Sequence, residues 1–221
     1  MTRFRTLAAC AVALFAVGAQ AQVSKKGDAY LFRLKWKQGA VMKHNMLIDT
    51  PMGKMQSVMT QKVLSVDAKG VGTVKGSTTM SGPGMPTGGK PIVTTTKIDP
   101  QGNVIGTGAT SANFGSMSVP KDPIKIGKQW TGTFKMGQAG GDGSATYKFT
   151  RMHSIGGVAV AEISISLKMT GAMPMNGSGS MFVRADNGMT HSMTMTMKGK
   201  SPAGGSGAGS PFSMTITMKP G

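Results

Sequence analysis

The stretch Glu162-Ile-Ser-Ile-Ser-Leu-Lys-Met169 decides how this chain is read. Ile163, Ile165, Leu167 and Met169 alternate with Glu162, Ser164, Ser166 and Lys168. Successive side chains leave a β-strand on opposite faces, so a period of two yields one dry face and one wet face. The stretch is a half-buried antiparallel strand.

The same pattern extends outward. Met193, Met195 and Met197 alternate with Ser192, Thr194, Thr196 and Lys198, and Met214, Ile216 and Met218 with Ser213, Thr215 and Thr217. Near the start, Tyr30, Phe32, Leu34 and Trp36 share a face opposite Arg33, Lys35 and Lys37, which predicts one strand over 30–37. Asp67-Ala-Lys-Gly70, Asp99-Pro-Gln-Gly-Asn103 and Asp186-Asn-Gly188 are turn signals between such runs. A short helix fits only at 109–117. The expectation is an all-β fold of about eleven antiparallel strands.

Landmarks recur at a nearly constant offset. Gly39 and Gly127 each open a strand, Gly70 and Gly157 each close a turn, and so do Gly102 and Gly188. Met85-Pro86 and Met173-Pro174 sit in matching glycine-rich loops. The chain therefore reads as two similar halves, about 28–113 and 114–198, with a final strand at 211–219. Residues 114–129 connect the halves, and Ser201–Pro211 is a flexible loop. Two such halves can form one curved sheet, a barrel or a sandwich.

The Pro123-Ile-Lys-Ile-Gly-Lys-Gln-Trp130 connector and the Asp-x-x-Gly turns resemble a loosely defined group of exported bacterial all-β proteins of unknown function. More distantly, the pattern looks like periplasmic carriers of the outer-membrane lipoprotein-carrier type. That likeness implies a curved antiparallel sheet sheltering acyl chains. Those carriers also pack helices into the concave face, and this sequence has no clear helix for that role.

The N-terminus carries its own instruction. Arg3 and Arg5 precede an apolar run from Leu7 to Val17, and Ala19-Gln-Ala21 forms an A-x-A cleavage site. Residues 1–21 are thus expected to be a secretory signal peptide, leaving a single β domain over 22–221 in the periplasm or outside the cell. Leu7-Ala-Ala-Cys10 also looks like a lipobox, but the apolar run follows the cysteine instead of preceding it. Cys10 is the single cysteine, so a chain cleaved after Ala21 has no disulfide. No later segment is long and apolar enough to span a membrane.

Lys and Arg number 25 against 8 Asp and Glu, a formal charge of +17. The lysines are scattered, which solvates strand faces and guards sheet edges. They also favour an anionic partner. For an exported chain that partner is lipid or another envelope anion rather than nucleic acid.

Catalytic signals are weak. Gly-x-Ser-x-Gly is absent. Ser118-Val-Pro-Lys121 fits Ser-x-x-Lys, but Pro120 and Pro123 preclude the helix that motif needs. Gly199-Lys-Ser201 ends like a phosphate loop, but Thr194 stands where that loop needs glycine. No enzyme is expected.

Methionine is the composition's main signal, at 21 residues. Flexible, polarisable thioethers repack around variable guests. The first expectation is a non-enzymatic binder of an apolar or amphipathic ligand, such as lipid or a lipoprotein acyl chain. Met85, Met173, Met175 and Trp36 would line its site, with no cofactor. The alternative is periplasmic Cu(I) or Ag(I) binding, since soft thioethers select such ions. Met42, His44 and Met46 share one strand face for that purpose, His191 with Met193, Met195 and Met197 forms a second row, and Met152-His153 is a weaker pair. A structural envelope role is a further alternative.

Overall fold

The computed structural model describes residues 23–51, 53–83, 90–105, 119–135, 142–170, 174–200 and 210–221. The expected signal peptide with Cys10, the possible helix at 109–117, Met85, Met173 and most of the 201–211 loop lie outside them. The described residues are all-β and contain no helix.

A small hairpin opens the chain, with strands β1 (Val23–Lys26) and β2 (Ala29–Phe32). Then come β3 (Val41–Thr50), β4 (Gly53–Val66), β5 (Gly72–Ser81), β6 (Ile92–Ile98) and β7 (Val104–Ile105). After the connector follow β8 (Gln129–Lys135), β9 (Asp142–Ile155), β10 (Val158–Met169), β11 (Met175–Arg184), β12 (Thr190–Lys200) and β13 (Pro211–Pro220). Strands β3 to β13 make one eleven-stranded antiparallel sheet in the order β7-β6-β5-β4-β3-β13-β12-β11-β10-β9-β8. The last strand thus joins the first strand of one meander to the last strand of the other. Strands β7 and β8 are the edges, so the sheet is not a closed barrel.

Because every neighbour is antiparallel, the connections alternate between the two ends of the sheet. Those after β4, β6, β9 and β11 are short and fall at one end, here the turn end. Asp67 Oδ1 accepts from the amides of Lys69 and Val71, and Asp99 Oδ1 from those of Gln101 and Asn103. Gly70 and Gly102 complete these turns at φ 79° and 86°, where a side chain would be strained. The connections after β5, β8, β10 and β12 are glycine-rich and fall at the opposite, loop end.

The sheet curls. Strands β6 and β11 stand six places apart, which is about 29 Å in a flat sheet at the usual strand spacing. Yet the amide of Leu34 donates to Pro100 O after β6, and that of Lys35 to Asn187 O after β11. Neighbouring residues cannot reach both turns unless the sheet bends them together. Register breaks at Leu64 in β4, Thr150 in β9 and His191 in β12 add local twist.

This also explains a departure from expectation. The alternation at 30–37 continues, but β2 ends at Phe32. Beyond it the backbone bonds to turn carbonyls instead of a strand. Arg33 Nη1 donates to Phe32 O and Pro120 O, at 2.6 and 2.8 Å, and Nη2 donates to Lys121 O. The connector adds its own ties, since Tyr30 and Ile124 exchange two 2.8 Å backbone bonds.

Two apolar clusters fill the inner face. The larger runs from Phe149 on β9 and Ile163 on β10 to Met218 on β13, capped by Val23, Phe32 and Val119. Phe149 meets Tyr30 and Phe32 edge-on, both at 5.2 Å, and Trp130 stacks on Tyr147 at 5.3 Å. The smaller cluster is Val63, Val74 and Ile98 at the turn end of β4 to β6, with Leu34, Trp36 and Met42 packed on it.

Candidate functional site on the inner face

Register assembles methionines that are far apart in the chain. Met181, Met193, Met218 and Met46 oppose one another in turn across β11, β12, β13 and β3. The next row toward the loop end is Gly179, Met195, Ile216, Ile48 and Met55. Glycines make room for thioethers here: a Cβ at Gly177 would stand 3.1 Å from Met197 Cγ, and one at Gly199 would stand 2.7 Å from Met175 Cγ.

The inner face is covered unevenly. On β10 to β13 it is dry, with Met169, Met175, Met193, Met195, Met197 and Met218 all buried. On β3 to β6 it becomes wetter toward the loop end. Met46, Ile48, Met55 and Met59 are half-buried, Met80 is 37% exposed and Ile92 is 61% exposed. These belong to one face, because Ser57 opposes both Met46 and Met80, while Met59 opposes His44 and Thr78, and Thr78 opposes Ile92. The alternation of Met55, Ser57, Met59, Gln61 and Val63 was visible in the sequence, but which strands would leave it uncovered was not.

Of the expected ligand residues, Trp36 and Met175 fall among the described ones. Trp36 packs at the turn end, its indole Nε1 buried with no hydrogen-bond partner among the described residues. Met175 begins β11 at the loop end and is 7% exposed. The two stand at opposite ends of the sheet.

The expected metal residues sort differently. Met42, His44 and Met46 share the inner face of β3, but Met42 packs into the smaller cluster and Met46 against the larger. His44 is buried at the border. Its Nε2 stands 3.0 Å from Thr190 O, a group that can only accept, so the proton belongs on Nε2 and Nδ1 keeps a lone pair. That Nδ1 is buried without a hydrogen-bond partner among the described residues. Burial holds the imidazole below its ordinary value of 6.5, against the Thr190 bond, and His191 adds repulsion. So the two His/Met rows, distant in sequence, meet at this point. Met152 and His153 separate: Met152 joins the larger cluster, while His153 lies outside beside Glu162 at 3.6 Å, with Phe182 edge-on at 5.5 Å. Among the described residues no three His, Cys, Asp or Glu are grouped to hold a metal.

These features define a class: an open, curled antiparallel sheet with a thioether-lined inner face. The sequence matches no protein-family model, and no curated protein matches it. Among the described residues no helix is long and apolar enough to cross a membrane.

Proposed function

We propose that this is an exported, non-enzymatic protein that binds an apolar or amphipathic guest, a lipid or a lipoprotein acyl chain, on the inner face of β3 to β6. One observation carries the reading: Met80 and Ile92 are exposed on the face whose other half is packed dry. An exposed apolar patch continuous with a core is a surface that gains by being covered. Each methylene of an acyl chain laid there contributes about 0.8 kcal/mol. Lys54, Lys90, Lys168, Lys198 and Lys200 are exposed at the same end and suit a phosphate headgroup.

A duplicated five-strand unit accounts for the long inner face. It is supported by strand starts at 41 and 129, 53 and 142, 72 and 158, 92 and 175, and 104 and 190. The extra residues Leu64 and Thr150 fall in corresponding strands β4 and β9. Gly39 and Gly127 also share a positive φ, at 80° and 86°. The unit explains why the connections that hold Met85 and Met173 leave the sheet at the same end.

The test is native mass spectrometry of purified protein, followed by delipidation and incubation with phosphatidylglycerol vesicles. A lipid adduct that Ile92→Asp and Met80→Asp weaken at least tenfold is expected. A clean apo mass in both preparations overturns the reading.

A further inference from the structure

We propose that His44 Nδ1, together with the thioethers of Met46 and Met59, forms a binding site for a soft monovalent cation, Cu(I) or Ag(I). The site does not depend on the lipid reading.

His44 supplies a nitrogen already set up as a ligand. Its Nε2 is committed to Thr190 O, which fixes the tautomer and orients the ring. A backbone carbonyl on the far nitrogen is the usual outer support of a metal-bound histidine. What remains is a buried Nδ1 with a lone pair and no hydrogen-bond partner among the described residues. A buried polar atom left unmatched is destabilising, and a bound cation would satisfy it.

The surroundings select the ion. Met59 stands directly opposite His44 on β4, and Met46 follows two residues on along β3, so all three side chains leave the same face. Directly opposed residues have Cβ atoms about 5 Å apart, within reach of a three-bond thioether arm. Met46 and Met59 are only half-buried, which leaves an ion a way in. Met218, opposite Met46, is 1% exposed and packed into the core, so it backs the site and does not gate it. One imidazole and two thioethers without a carboxylate match a soft, singly charged ion. Hard divalent ions need oxygen ligands, and among the described residues the inner face offers no acidic side chain near His44. Asp49 lies on β3 but is exposed, at an odd spacing from His44 and hence on the other face.

The experiment titrates delipidated protein with Cu(I), kept reduced, against a chromophoric chelator, and repeats the titration with Ag(I). One tight equivalent is expected. Met46→Leu/Met59→Leu conserves volume and should weaken binding at least tenfold, as should His44→Ala; Met214→Leu, at a half-buried methionine of β13, should not. Methyl NMR should show the Met46 and Met59 methyls moving in step with the first equivalent. Binding unchanged in the double variant, confirmed folded by circular dichroism, overturns the site, as do methyl shifts spread evenly over all methionines. Retained metal binding with no lipid binding would remove the lipid reading alone.

Discussion

The indole of Trp36 lies against the bare backbone of Gly72, where a Cβ would stand 2.5 Å from Trp36 Cγ. The pair seals the turn end of β5. Gly72→Ala forces the ring away from Val63, Val74 and Ile98, an overpacking that costs about 1–3 kcal/mol. At Gly179 a Cβ would overlap the Thr194 carbonyl, and backbone cannot swing aside as a ring can. Urea unfolding should therefore rank Gly179→Ala as the more damaging of the two. The opposite ranking would count against the packing described.

Phe149 is fully buried and meets Tyr30 and Phe32 edge-on. It anchors the opening hairpin to the sheet. Phe149→Ala should cost about 3–5 kcal/mol and expose the hairpin to proteolysis first. Limited digestion with N-terminal sequencing of the fragments checks the order.

The Asp67 and Asp99 turns each rest on one carboxylate oxygen bonded to two amides. Asp67→Ala removes the one oxygen that accepts both bonds. At about 1 kcal/mol per net hydrogen bond the loss is on the order of 1–2 kcal/mol. Asp67→Asn keeps an oxygen in place and should recover most of it, as thermal denaturation will read.

Asp186 is held below its ordinary value of 3.8, chiefly by the paired bond from Arg184, whose Nε and Nη2 lie 2.9 and 2.6 Å from its two oxygens. A lowered folded value means the pair contributes stability above the unfolded value and loses it as pH falls through the folded one. Asp186 is exposed, so the effect on global stability is small. The carboxyl carbon should titrate below the usual aspartate range by NMR, and Arg184→Gln should return it to that range.

Much of the strand content was legible because period-two alternation needs no partner to be seen. Ile163 to Met169 and Met193 to Met197 are strands with buried apolar faces, as their sequences imply. The turn glycines were legible because positive φ is written in residue type. The strand predicted over 30–37 was not, because its second half bonds to carbonyls at Pro100 and Asn187 that lie far along the chain.

The candidate site shows the same division. The shared face of Met42, His44 and Met46 followed from spacing alone. That Met59 opposes His44, and that Thr190 occupies one ring nitrogen while the other is left bare, follows from register and curl.

By itself the amino-acid order determined where strands run, which side of each is apolar, and where the chain turns. It also set a lysine-rich exterior and a methionine-rich interior, since these are local properties of residue type and spacing. Folding alone decided that β13 enters between β3 and β12, that Trp36 and Met175 part to opposite ends, and that Met80 and Ile92 stay uncovered. Strand pairing joins residues more than a hundred positions apart, and no local pattern encodes which edge a free strand will meet.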